Sequence, residues 1–272
     1  MGLAAAADDW YSECFVGVGD LRLRVARRGD GPPLLLINGI GAPLEMWEPL
    51  ARRLTGRELI MFDLPGSGRS QPPAVPMRMS GFARVTIGLL DELGLGRVDV
   101  LGYSFGGLVA QELALRAPQR VRRLVLSATA AGIPSFPPNP LVMLLMATPI
   151  RYHSRTLGAQ IVPRIAGGRT ARDARALQRD LDHRQTHPPS MIGYAHQVFA
   201  AAGWSSQRWL HRLRQPTLVL QGDDDPLIPL VNARWMSHRL PDARLHVVKG
   251  AGHLFLVDDP EQVVGTIQDF LA

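Results

Sequence analysis

The chain has little of several things. One cysteine, Cys14, stands among 272 residues, so no intramolecular disulfide can form and no cysteine-based metal site can be built. Lysine is almost missing, with Lys249 alone against 29 arginines. Aromatic residues make up 6%. They are not interleaved with the charges as a nucleic-acid groove requires, and no nucleic-acid module is visible. Long apolar runs are absent as well: residues 141–147 form the longest, closed by Pro140 and Pro149, far short of the ~20 residues of a membrane span. Residues 1–9 lack a basic n-region and an apolar core, so no signal peptide is read, and Ala6 breaks the myristoylation pattern. A cytoplasmic protein is the default expectation.

What is present is a chain that can bury a core. Apolar residues make up 46% and charged residues 20%, with a net charge of +6. Residues 131–214 hold eleven arginines against Asp173, Asp180 and Asp182. Genomic base composition accounts for arginine in general. The clustering leaves room for a basic face toward an anionic partner or a coated particle.

Short, continuous apolar runs bounded by turn residues mark buried parallel strands: 34–37, 59–62, 98–101, 124–126, 217–220 and 245–248. Ahead of them, residues 15–18 and 21–25 alternate around Gly19-Asp20, which predicts an antiparallel hairpin at one sheet edge. Helical patterns fall at about 43–54, 80–93, 106–117, 229–240 and 260–271. This alternation predicts an α/β fold, a mostly parallel sheet with helices on both faces. Residues 131–214 break the rhythm. They open on a proline-rich segment from Pro134 to Pro140 and continue in helix-like patches. They predict a mostly helical cap inserted into a core made of residues 1–130 and 215–272.

Gly102-Tyr103-Ser104-Phe105-Gly106 is a G-x-S-x-G pentapeptide between a strand and a helix, the context of a nucleophile elbow. A serine nucleophile needs a base, and the base needs an orienting acid. Of eight histidines, His253 alone follows the last strand, in Gly250-Ala251-Gly252-His253. The acid should follow the preceding strand, where Asp223-Asp224-Asp225-Pro226 offers three carboxylates. Asp225 is the expected partner, with Asp224 the next candidate and turn chemistry the ordinary use of such a run. Backbone N–H groups of Phe105 and Ile40, the latter in the loop Asn38-Gly39-Ile40-Gly41, are the expected oxyanion donors. That loop lacks the features of a phosphate cradle. Met143, Met146 and Trp204, with Phe105, are candidates for an apolar substrate pocket. No metal and no cofactor is expected.

Together with Asp63-x-Pro65-Gly66-x-Gly68-x-Ser70, Gly222-x-x-Asp225 and Gly252-His253, these residues resemble the α/β-hydrolase superfamily along essentially the whole chain. The resemblance narrows at Asn38-Gly39-Ile40-Gly41-Ala42, Ala128-Thr129-Ala130-Ala131-Gly132, Gly203-Trp204-Ser205-Ser206 and Gly252-His253-Leu254-Phe255-Leu256. There the chain is similar to intracellular poly(3-hydroxyalkanoate) depolymerases acting on medium-chain-length polyester. One departure is Phe105, where that family is expected to carry tryptophan, and the exchange would alter the pocket wall.

The resemblance implies a cap-bearing serine ester hydrolase acting on a polyester or its 3-hydroxyacyl oligomers. A polyester granule surface is then a candidate partner. Two other readings stand beside it. One is a general carboxylesterase or C–C bond hydrolase with the same triad. The other is a ligand receptor or scaffold with little turnover.

Overall fold

The computed structural model describes residues 10–133 and 135–272. Residues 1–9, on which the signal-peptide and myristoylation readings rest, and Pro134, at the start of the proline-rich segment, lie outside the described residues.

The apolar runs pair into one sheet. Its strands are β1 (Ser12–Val18), β2 (Leu21–Arg28), β3 (Pro33–Ile37), β4 (Glu58–Phe62), β5 (Val98–Tyr103), β6 (Val121–Ser127), β7 (Thr217–Gly222) and β8 (Ala243–Val248). Among the described residues the order is β1-β2-β4-β3-β5-β6-β7-β8. β1–β2 and β2–β4 are antiparallel, and every later pair is parallel.

The strands read as unbroken apolar stretches because both faces are covered. Leu35 and Ile37 point into the layer holding Phe82, Val109 and Met236, from the helices Met79–Glu92, Phe105–Arg116 and Leu230–Arg239. Their neighbours Leu34 and Leu36 point the other way, toward Trp47, Phe255 and Ile267. A strand-period alternation is thus present, but each face meets a helix layer instead of water.

Boundaries differ from the sequence pattern for local reasons. β6 starts at Val121, three residues early, because half-buried Arg122 can lie along the strand and reach buried Asp99. Residues 43–54 do not form one helix. A 3₁₀ turn, Leu44–Trp47, passes into a single α-turn, Glu48–Ala51. Pro49 has no N–H to donate back, so the longer helix cannot propagate. A short helix at Phe255–Asp258, directly after His253, carries no periodicity long enough to have been read.

Between β6 and β7 the chain is helical: Pro140–Met146, Ile150–His153, Arg155–Ala166, Gly168–Arg172, Ala174–Thr186 and Met191–Ala201. Polar residues start several of them. The side chains of Asn139, Ser154, Asp173 and Ser190 each accept a backbone N–H of the following first turn. No helix among the described residues is long and apolar enough to cross a membrane.

The tightest approach in the fold sits under the elbow. A Cβ built on Gly106 would meet Asn38 O at 2.6 Å and crowd the Ile37 carbonyl, all main-chain atoms that cannot rotate away. Gly106→Ala is therefore expected to cost about 1–3 kcal/mol or more through overpacking. Gly265, inside the helix Glu261–Leu271, has open space where a Cβ would go. Gly265→Ala should gain about 0.5–1 kcal/mol. Urea melts of the two variants should move in opposite directions; shifts of the same sign would contradict the packing described.

Candidate active site

β5 delivers Tyr103 and then turns sharply. Ser104 has φ 54° and ψ −118°, a conformation that side-chain-bearing residues rarely adopt. The turn is fixed on both sides. Ser104 N–H donates to Ser127 O at 2.9 Å, and Ser104 O accepts from Gly107 N at 2.9 Å and Thr129 Oγ1 at 2.8 Å. Gly102 also has to be glycine, since a Cβ there would lie 2.7 Å from the Ala110 methyl. The helix Phe105–Arg116 starts on the next residue, so its unpaired N–H groups and positive dipole end face the serine.

His253 Nε2 lies 3.0 Å from Ser104 Oγ, and its Nδ1 lies 2.8 Å from Asp225 Oδ2. A carboxylate can only accept, so the proton sits on Nδ1 and Nε2 is left to accept from the serine hydroxyl. Asp225 is held from every side. Oδ1 accepts the N–H groups of Leu227 at 2.9 Å and Ile228 at 2.8 Å, and Oδ2 also accepts Gln221 Nε2 at 2.8 Å.

The other two aspartates face away. Asp223 Oδ1 accepts from Gly250 N at 2.6 Å, and Asp224 Oδ2 takes Gly168 N at 3.0 Å and Arg172 Nη1 at 2.8 Å. Two of the three carboxylates tie the loop to distant segments, and the third, which also accepts two N–H groups of its own turn, meets the histidine.

The loop after β3 is ordered by its own asparagine. Asn38 Oδ1 accepts Gly39 N at 2.8 Å, and its Nδ2 donates to Pro43 O at 2.9 Å. Ile40 N–H and Phe105 N–H donate to no protein acceptor among the described residues. Both are left free to donate to a group brought to the serine.

A cavity of about 30 Å³ adjoins Ser104 and His253, walled by Ile40, Met46, Met146, Tyr152, Ile165 and Leu227, with Arg151 and Arg184 also on its surface. Of the expected pocket residues, Met146 lines it. Met143 does not: it lies on the outer side of the helix Pro140–Met146, 54% exposed. Trp204 also lies elsewhere, where its indole N–H donates to Glu112 Oε2 at 3.0 Å and its ring packs edge-on to Trp209. Phe105 turns into the core and stacks edge-on against Phe82 at 5.4 Å. The exchange at position 105 therefore alters core packing, not the pocket wall.

Several residues that hold the site carry no sequence signal. Tyr103 Oη donates to His253 O at 2.9 Å, and burial pushes its phenol well above the usual range, which keeps it a donor. Gln197 bridges two loops: Oε1 accepts Gly41 N at 2.8 Å, while Nε2 donates to Pro65 O and Ser67 Oγ. Tyr152 Oη donates to Ile40 O at 2.7 Å. Ala166 O accepts His253 N–H.

Asp63 pins the Gly-rich turn by accepting Leu44 N and Arg69 N, and burial raises its carboxyl to about 7 against the pull of those bonds and Arg24. Burial likewise raises Asp258, which Thr170 partly offsets through two hydrogen bonds. No cluster of three His, Cys, Asp or Glu side chains among the described residues is arranged to hold a metal ion.

Comparison with known proteins agrees with this arrangement. The alpha/beta hydrolase family profile matches residues 34–266. A poly(3-hydroxyalkanoate) depolymerase from Ectopseudomonas oleovorans is 44% identical over 253 residues, covering 92% of this chain and 88% of the relative. Among solved structures, a hydrolase from Pseudomonas aeruginosa PA01 superposes with a TM-score of 0.83 at 27% identity, covering 98% of this chain and 100% of that one. A thermophilic esterase from Thermogutta terrifontis gives 0.81 at 27% identity, covering 95% and 97%. A strained serine turn with this likeness along its length has one family reading: the chain belongs to the alpha/beta hydrolase family, as an ester-hydrolysing enzyme most like the poly(3-hydroxyalkanoate) depolymerases.

Proposed function

We propose that the chain cleaves ester bonds of aliphatic 3-hydroxyalkanoate polyester or its oligomers through an acyl-enzyme on Ser104, with His253 as base and Asp225 as its orienting acid. The observation that carries the reading is the hydrogen-bonded row Ser104–His253–Asp225 in a chain 44% identical to a depolymerase of that polyester.

Ser104 Oγ attacks the ester carbonyl carbon while its proton passes to His253 Nε2. The carbonyl oxygen takes up negative charge and is met by the N–H groups of Ile40 and Phe105. Asp225 stabilises the imidazolium. Collapse breaks the C–O bond, and His253 returns the proton to the departing hydroxyl. Water then attacks the acyl-enzyme, with His253 taking its proton and afterwards giving it to Ser104. One ester and one water become an acid and an alcohol, with no metal or cofactor called upon.

In this reading residues 131–214 are a cap that controls access. The cavity of about 30 Å³ holds a group the size of one or two waters, not a medium-length acyl chain. The helix Pro140–Met146 buries only Val142 fully and is tied down by Tyr194 Oη on Met146 O at 2.6 Å, so its displacement breaks that bond and a small apolar cluster. Its exposed Leu141, Met143 and Leu144 are suited to meeting an apolar polymer or granule surface. The arginines of the same region are less free than their number implies, since Arg155, Arg169, Arg172 and Arg184 each pair with a carboxylate.

The small cavity equally suits a general carboxylesterase of short substrates, and acyl length separates the two readings. Each buried methylene adds about 0.8 kcal/mol at most. Oligomers of 3-hydroxyoctanoate should be cleaved with higher kcat/KM than matched oligomers of 3-hydroxybutyrate; equal rates, or activity confined to acetyl esters, would favour the short-ester reading.

Ser104→Ala should lower kcat on the order of 10⁴–10⁶-fold with folding intact, and a fluorophosphonate probe should label Ser104 in the wild type. Labelling at another residue would sink the proposal. Asp225→Asn should lose about 10⁴-fold, while Asp224→Asn and Asp223→Asn should stay within about tenfold of wild type. A dead Asp224→Asn beside an active Asp225→Asn would move the acid by one residue.

A further inference from the structure

Two guanidinium groups reach the cavity beside Ser104, and only one has a counter-ion. Arg184 pairs with Asp180 at 2.5 Å on its own helix. Arg151 is 1% exposed and forms no ion pair among the described residues. Its Nη1 donates to Thr148 O at 2.9 Å, and its buried Nε has no acceptor. The guanidinium also interacts with the Tyr194 hydroxyl, and the faces of Tyr152 and Tyr194, 4.7 and 5.3 Å from the guanidinium carbon, offset part of the lost hydration. The nearby carboxylates do not complete the set. Asp180 is committed to Arg184, although its Oδ1 is also unpartnered, and Asp225 lies beyond His253 with both oxygens engaged. A buried cation with an unused donor, on a cavity that holds no carboxylate in its lining, is costly unless an anion arrives.

We infer that Arg151 is a binding residue for a carboxylate of the substrate. The inference rests on the proposed ester hydrolysis and specifies its substrate: a 3-hydroxyacyl oligomer ending in a free acid. In such a chain the terminal carboxylate belongs to the alcohol side of the last ester bond, one hydroxyacyl unit from the scissile carbonyl. With that carboxylate on Arg151, the ester presented to Ser104 is the terminal one, and each turnover releases one 3-hydroxy acid. A cavity of about 30 Å³ takes the carboxylate alone, so the acyl chains of the same substrate need the displacement of Pro140–Met146 given above.

The test compares kcat/KM for the 3-hydroxyoctanoate dimer as free acid and as methyl ester, in wild type, Arg151→Met and Arg151→Lys. Wild type should prefer the free acid by about tenfold or more, the range of a charge-assisted hydrogen bond in a dry site. Arg151→Met should bring the ratio near one, and Arg151→Lys should retain part of it. A merely structural arginine would lower both rates alike and leave the ratio unchanged, which would overturn the inference.

A second arm needs neither the variants nor the dimers. Octanoate should inhibit wild-type hydrolysis of p-nitrophenyl butyrate at least about tenfold more tightly than octanamide. Equal inhibition overturns the carboxylate site. An enzyme that turns over p-nitrophenyl butyrate but neither dimer refutes the polyester reading instead, and the octanoate arm still decides Arg151.

Discussion

The main chain at Ser104 is held at φ 54°, and most of the site is arranged around that one residue. A conformation of this kind costs on the order of 1–3 kcal/mol and persists only where its surroundings leave no alternative. Here the surroundings are Ser127 O, Gly107 N and the Thr129 hydroxyl, together with Gly106 pressed against the main chain of Ile37 and Asn38. The close approach has a return. It brings the loop after β3 beside the start of the helix Phe105–Arg116.

The loops that supply the histidine and the acid are not self-supporting. Ala166 O takes the His253 N–H, Gly168 N–H and Arg172 grip Asp224, and Arg172 also donates to Gly250 O. On the other side Gln197 and Tyr152 hold the loop at Gly41 and Ile40. All five residues belong to the segment between β6 and β7. The helices between β6 and β7 therefore hold the loops that carry His253, Asp225 and Ile40.

The wealth of arginine takes on a different meaning in three dimensions. Arg57 and Arg122 converge on buried Asp99, and Arg24 joins Glu13 and Glu45, so many positive charges serve as internal ties. Arg151 departs from that use, which is why a substrate anion is the natural partner for it.

The order of strands and helices, the sharp turn at Ser104 and the place of His253 after the last strand were legible in the sequence, because each is written locally. Apolar runs of strand length, glycines flanking a serine, and a histidine just after the final strand depend on neighbours a few residues away. Asp225 was legible as one of three, since any of them could follow β7. Only packing decided which one met the histidine 28 positions on. The expected pocket walls Met143 and Trp204 failed for a related reason: apolar character predicts burial, but not against what. Gln197 reaches a backbone 156 positions away, and the solitary charge of Arg151 is defined by the carboxylates that do not reach it. Local spacing encodes the elements and the serine turn. The partners of buried polar side chains, and with them the shape and charge of the pocket, exist only once segments far apart in the chain are brought together, because hydrogen bonds and counter-ions act over a few ångströms of space.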